Sequence, residues 1–465
     1  MDSISQREKR LQFYKRLLEK NPPIYTALCE VLNTVGPLSP DEELYLHVWV
    51  PAITEFAEWV LRQAERDGKQ RLYFLARDAW PIYLMTKTIC AGRRDKPECR
   101  YLSVSRYALR LPEYHLLKEN CVDRICVGGI GVTLRRILRR GGLDDAAAIR
   151  TAEELGLADQ IDRELLYHEI QALKMPLQSS EFFFDEVMKH SEAAAPNAIG
   201  YLEQEGLLDG ISFAVVDSGW IGTQQETLER LLCTRRENQA VDGYYFGLYE
   251  TPLGVDWKKY HSFYFSPLRG LWRKVQFSNC LFETVCSAPE GMTLGYQKRG
   301  QLYEPVTGKP NPNAERISRY AYLASCFARI YSRLTADAVT YQQNPCCNVL
   351  LKALMSRPQK WEAEAFGNLT FSDDMLEQSA KPVAVRMTDR DLRDLRVLRH
   401  LLLMLGVRKG KPQESAWIEG SIVCANGKSE LIHAALYKLL LYLRKAGKCL
   451  CARITNWNGL NSICL

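Results

Sequence analysis

The sequence predicts an α/β protein with a parallel, Rossmann-like sheet, a large helical insertion, and helical N- and C-terminal segments. Three observations predict it. Apolar runs at 72–76, 101–105, 213–216 and 244–248 have the length of strands buried on both faces. The first three runs end in charge, at Arg77-Asp78, Arg106 and Asp217. The stretches between them carry apolar residues at helical spacing, so the connections read as right-handed crossovers between parallel neighbours.

Composition sets the outer limits. The chain has 465 residues, 46% hydrophobic and 25% charged, enough for two or three cores. A net charge of +6 is mild for this size and does not announce a nucleic-acid binder, but it suits an anionic substrate. The first twenty residues are charged throughout and lack an apolar signal core, so a cytoplasmic protein is expected. The apolar tract at 431–443 carries His433 and Lys438 and falls short of the roughly 20 residues that span a bilayer. Fifteen cysteines, scattered and odd in number, read mostly as buried thiols, and neither Cys346-Cys347 nor Cys449-x-Cys451 has the spacing of a zinc site.

Taken in order, residues 7–19 and 42–65 are expected to be covering helices, from Leu11, Tyr14 and Leu18 and from Leu44, Val48, Phe56 and Val60. The stretch RLYFLARDAWPIYLMTKTIC at 71–90 reads as a strand, a charged break at Arg77-Asp78, and a helix through Ile82, Met85 and Ile89. A further strand at 101–105 ends in Arg106. Residues 111–210 read as helices at 133–140, 147–155, 161–173 and 181–207. Within them Arg135, Arg136, Arg139 and Arg140 read as a solvated helix face rather than a basic rim for an anionic acceptor.

The central stretch is ISFAVVDSGWIGTQQETLERLL at 211–232. A strand is expected to stop at Asp217, a turn to follow through Ser218, Gly219 and Gly222, and a helix to open with Thr223 and Glu226 as a capping box. Free N–H groups and the positive end of a helix dipole then converge where two glycines let an anion approach, which suits a phosphate. The plainer reading is that Asp217 and Thr223 only tidy a turn between strand and helix. Ligands of open parallel sheets bind outside the carboxyl ends of the strands, so Arg77, Asp78, Arg106 and Asp217 are predicted to line one cleft.

Beyond it, 243–249 and 260–265 read as strands, and Glu283 stands as a partly buried carboxylate in LFETVCSAPEGMTLGY. Residues 301–314 read as a loop or domain border, followed by helices at 314–334, 349–357, 389–405 and 430–446 and a short strand at 417–423. The implied organisation is a helical N-terminal segment at 1–70, an α/β core at 71–110 and 211–300, a helical insertion at 111–210, and a mainly helical C-terminal region at 301–465.

The set FLARDAW, YLSVSR, VDSGWIGTQQ and FETVCSAPEG resembles a bacterial group encoded among polysaccharide-assembly genes, many of whose members carry a haloacid-dehalogenase-type phosphatase domain in front. Over residues 71–296 it is similar to the glycan-directed phosphoribosyltransferase module of bacterial ribofuranosyltransferases. Ala79 replaces the glycine that usually follows Arg-Asp there, without changing the charge. The resemblance implies a transferase moving a 5-phosphoribosyl group from phosphoribosyl pyrophosphate, or another sugar phosphate, to a glycan acceptor that is free or lipid-linked. It implies Mg2+, a separate phosphatase as partner, and a place in the cytoplasm or at the inner face of the membrane, while the mild net charge leaves no nucleic acid expected.

On this reading Ser218, Gly219, Gly222, Thr223 and Gln224 hold one phosphate, and Arg77 and Arg106 take the pyrophosphate. Asp217 or Asp78 binds ribose hydroxyls or the metal, with Asp217 the expected metal ligand, and Glu283 is the acceptor base. A phosphate-ester hydrolase using the same pocket and a non-catalytic scaffold of an assembly complex are the alternatives. Asp389-Arg390-Asp391 is the one match to a phosphatase Asp-x-Asp after a β-like run, but Thr388 with Asp391 is a capping pattern, so no phosphatase is expected in this chain.

Overall fold

The computed structural model describes residues 2–461 apart from 94–95, 130, 337–344, 373–380, 405–406, 408–409 and 411–412, with side chains from 6 to 451 and at 453. A five-stranded, all-parallel sheet runs in the order β2-β1-β3-β4-β5, with β1 at Arg71–Leu75, β2 at Glu98–Leu102, β3 at Phe213–Trp220, β4 at Asp242–Leu248 and β5 at Tyr260–Phe265. The order reverses between β1 and β3. Such a switch point leaves a crevice at the carboxyl ends of the two strands, because their crossover helices leave to opposite sides.

Alternation along the strands explains the layers. Leu72, Phe74, Ala214, Val216, Tyr244 and Phe246 pack on one face against Ile53, Phe56 and Val60 of the helix Val50–Arg66, in a core shared with the C-terminal helices. Tyr73, Leu75, Phe213 and Val215 face the other way, onto Leu109, Leu202, Leu228 and Leu231 of the helices Arg106–Leu117, Glu181–Gln204 and Thr223–Cys233. The chain is an α/β protein with a Rossmann-like parallel sheet, a helical insertion and helical terminal segments.

Two strands differ from the sequence expectation. β2 begins and ends three residues before the expected 101–105, because Arg71 Nε donates to Glu98 Oε2 (2.6 Å) across the β1–β2 pair and Ser105 caps the next helix, accepting from Ala108 N at 2.9 Å. Arg106 therefore opens a helix rather than ending a strand. β3 does not stop at Asp217 but runs on to Trp220, paired as Asp217↔Tyr245, Gly219↔Gly247 and Trp220↔Leu248. The connection to the next helix shrinks to Ile221-Gly222.

The insertion has a core of its own, including Tyr114, Ile137, Leu138, Phe183 and Val187. The expected 161–173 helix is broken, only Tyr167–Ala172 being helical there. The arginine row is neither a rim nor simply a solvated face. Arg135 donates to Asp162 and Asp145, Arg139 pairs with Asp145, and Arg140 is buried and donates to the carbonyls of Ile125 and Val127.

In the C-terminal region, residues 302–307 form β7, which closes an antiparallel hairpin with β6 at Thr293–Arg299, where a loop was expected. The expected 417–423 strand is the helix Ile418–Cys424. The expected 389–405 helix is two helices, Asp389–Asp394 and Val397–Met404, its last residue lying outside the described residues. Thr388 caps the first of them, accepting from Asp391 N, so Asp389-Arg390-Asp391 is a helix start. Among the described residues every cysteine is a free thiol, and no helix is long and apolar enough to cross a membrane.

The β3–β4 pairing predicts which glycine the fold cannot lose. Gly219 has φ +108°, and a Cβ there would lie 2.5 Å from the Gly247 carbonyl oxygen. Gly219→Ala should destabilise by about 3 kcal/mol, combining backbone strain with overpacking. Gly300→Ala, at φ +61° with open space around it, should cost about 1 kcal/mol or less. Urea unfolding of both variants checks the contrast, and equal losses would refute it.

Candidate functional site

At the switch point the carboxyl ends of β1 and β3 open into a cavity of about 710 Å³. Its wall includes Arg77 and Asp78 from the turn after β1, Arg106, Asp217 and Ser218 from β3, and Gly219, Gly222, Thr223 and Gln224. Glu283, on the helix Asn279–Val285, reaches the same cavity, so all ten residues singled out in the sequence meet there.

The carboxylates are close enough to act on one another. Asp217 is 5% exposed, and its carboxyl is pushed up to about 7 by burial first and by the neighbouring charge of Asp78 second. The backbone N–H groups of Ser218 and Gly219 and the charge of Arg106 pull the other way without overcoming burial. Ser218 Oγ donates to Asp78 Oδ2 at 3.1 Å, tying the two strand ends together.

The helix Thr223–Cys233 begins differently from the expected capping box. Gly222 is its N-cap, in the left-handed region at φ +76°, and no side chain caps the helix. Thr223 Oγ1 instead accepts from Arg110 Nη2 at 3.0 Å, and Glu226 pairs with Arg124 and with Arg230. Among the described residues the first N–H groups of this eleven-residue helix thus border the cavity without a side-chain acceptor, where an anion is favoured. The glycines do different jobs from those expected. Gly219 is required by the approach of β4, and a Cβ at Gly222 would meet the Tyr260 ring at 2.8 Å.

Three contributions were not foreseen. Arg110 follows Arg106 by one helical turn, so both reach the cavity from one helix. It is 7% exposed, and burial, helped by the charges of Arg106 and Arg124, lowers its guanidinium to about 10. The Arg-x-x-x-Arg spacing in RYALR was the available signal. Trp220 holds φ +74°, unusual for a large residue, with Phe277 and Phe282 at 5.3 and 5.8 Å, and its indole N–H donates to Glu283 Oε1. The third contribution comes from the C-terminal region. Lys309, Asn311 and Asn313 line the cavity with Thr370, Phe371 and Ser372, and Asn313 links the two loops, donating to Thr370 O at 2.7 Å and accepting from Thr370 N at 2.9 Å. Nothing in 308–313 beyond its turn residues marked it as part of a site.

Arg77 in the turn after β1, Arg106 and Arg110 one turn apart on their helix, the carboxylates of Asp78 and Asp217, and an open helix N-terminus thus line one cavity, an arrangement whose chemistry suits an anion. Among the described residues no group of three or more His, Cys, Asp and Glu is placed to hold a metal by itself.

Burial of Asp217 gives a pH signature. Its folded pKa lies above the ordinary value of 3.8, so the folded state keeps a proton that the unfolded chain loses, and stability falls as pH rises from about 4 to about 7. Asp217→Asn removes that loss. In metal-free buffer the variant should gain on the wild type by up to about 4 kcal/mol between pH 4 and pH 8. Urea unfolding across the range measures it, and a difference independent of pH would count against the buried carboxyl.

Comparison with protein-family models and with curated proteins finds no match for this chain.

Proposed function

We propose that the chain is a transferase that moves a 5-phosphoribosyl group from phosphoribosyl pyrophosphate to a carbohydrate acceptor in surface polysaccharide assembly. The observation that carries this reading is the meeting of Asp78 and Asp217 with Arg77, Arg106 and Arg110 at the switch point, beside an uncapped helix N-terminus. A donor with a pyrophosphate, a second phosphate and ribose hydroxyls matches that charge pattern part by part. The resemblance of FLARDAW, YLSVSR, VDSGWIGTQQ and FETVCSAPEG to the glycan-directed phosphoribosyltransferase module adds the reaction type.

In the proposed reaction the bond from ribose C1 to the pyrophosphate oxygen breaks, and the acceptor hydroxyl oxygen forms the new bond to C1. The acceptor proton goes to the Glu283 carboxylate, which the Trp220 indole holds in place. Arg77, Arg106 and Arg110 take the charge that builds on the departing pyrophosphate, and the N–H groups opening the helix Thr223–Cys233 hold the 5-phosphate with Thr223 and Gln224. Asp78 and Asp217 orient ribose hydroxyls or hold magnesium. The pair fits that ion, because a carboxyl raised by burial and then by its neighbour's charge gains from a divalent cation, and phosphate oxygens ordinarily complete its shell. Bound there, magnesium supplies neutralisation of the leaving group.

The protein would act in the cytoplasm, at the inner face of the membrane where the acceptor is lipid-linked, with a separate phosphatase removing the 5-phosphate. Thermal-shift measurements with phosphoribosyl pyrophosphate, sugar nucleotides and simple sugar phosphates, each with and without magnesium, test the donor. The expected result is stabilisation by phosphoribosyl pyrophosphate with magnesium, weakened at least about tenfold in apparent affinity by Arg110→Met, which keeps the apolar stem and removes the charge. Glu283→Gln should leave that shift in place and lower turnover by about a hundredfold or more. Stabilisation by sugar nucleotides alone, or an unchanged turnover in Glu283→Gln, would reject the assignment.

A further inference from the structure

We infer that the outer face of the C-terminal helix Leu431–Asn461 is a docking surface for an anionic membrane. This rests on the peripheral placement proposed above and adds the surface that brings it about. Ile432 is 68% exposed, and Leu436, Leu440, Leu443 and Leu450 are 46–50% exposed. At the pitch of an α-helix these five fall within about 80° of one another, a continuous apolar stripe. The opposite side of the helix is occupied. Tyr442 stacks on Tyr249 at 4.9 Å, Lys438 Nζ donates to Glu419 Oε1 at 2.7 Å, and Lys445 Nζ donates to Glu250 Oε1 at 3.1 Å.

Charge selects the occupant. The helix holds Lys438, Arg444, Lys445, Lys448 and Arg453 and no Asp or Glu; Arg444 is exposed on the flank of the stripe and Lys448 is exposed further round the helix. Lys360 and Lys428 line the groove that reaches Ile432 at the helix start, with Trp272 63% exposed beside them. An apolar stripe bordered by cations and tryptophan matches the interface of a bilayer with anionic headgroups. A second copy laid on the stripe would bring cations against cations, with no acidic residue of this helix to answer them. The helix lies close to the cavity as well. Tyr249, on which Tyr442 stacks, is 5.8 Å from the Trp220 ring that lines the cavity.

Flotation of the full chain with phosphatidylglycerol-containing vesicles and with pure phosphatidylcholine vesicles, at low and high salt, tests the surface. Binding to the anionic vesicles should exceed binding to the neutral ones by at least about tenfold and weaken with salt. The triple variant Leu436→Ser, Leu440→Ser, Leu443→Ser and the double variant Arg444→Glu, Lys448→Glu should each lose at least about tenfold, while circular dichroism and the donor thermal shift stay as in the wild type. No binding to anionic vesicles, equal binding to neutral ones, or an unaffected triple variant would overturn the inference. So would light scattering showing a wild-type dimer and a monomeric triple variant, which would give the stripe to a second copy. Loss of vesicle binding with the donor shift intact refutes the surface alone, and vesicle binding without any donor shift refutes the transferase reading alone.

Discussion

A carboxylate buried at the end of a central parallel strand constrains everything near it. Asp217 is almost wholly buried, lies beside Asp78, and receives hydrogen bonds from the N–H groups of Ser218 and Gly219 that do not offset its burial. The fold keeps such a group largely by letting it hold a proton towards pH 7, and the charge of Arg106 offsets the burial only in part. Arg110 is the mirror image, a guanidinium buried among other cations. Each half of the cavity is electrostatically incomplete alone.

The positions of the strands were legible because strands buried on both faces leave uninterrupted apolar runs, as in Leu72, Tyr73, Phe74 and Leu75. Their ends were less so. The apolar signal of Leu102 and Val104 spans both β2 and the loop after it, and only the capping by Ser105 and the Arg71–Glu98 pair place the boundary. Gly219 looked like a loop glycine because a glycine forced by a neighbouring strand and one in a turn are the same letter. In the site, residues next to strand ends stood out by charge against an apolar run. Arg110 did not, since a cation on an amphipathic helix usually faces water. Asn313 and Thr370 were beyond reach because their meeting depends on a contact between segments 57 residues apart.

That contact shows how the terminal regions take part. The helices before β1 and those after β7 share one core with a face of the sheet, through Trp49, Phe282, Phe366 and Trp417 among others. The cavity takes its floor from the sheet and one side from loops that the C-terminal region positions. A piece of this chain limited to the strands and their crossovers would keep the charges of Arg77 and Asp217 and lose the enclosure that makes them act strongly.

The separate core of the insertion has a kinetic meaning. The central pairing of the sheet joins β1 to β3, whose partners Arg71 and Phe213 are separated by about 140 residues, so the chain must close a long loop before the sheet gains its middle. Tyr114, Ile137, Leu138, Phe183 and Val187 lie inside that loop and pack on one another. Once those helices condense, the flexible chain left to search is far shorter than the sequence separation suggests. The insertion then delivers Glu181–Gln204 and its Tyr201 and Leu202 to the face where β1 and β3 meet. On this view a local helical cluster acts as a splint that lets a non-local sheet assemble.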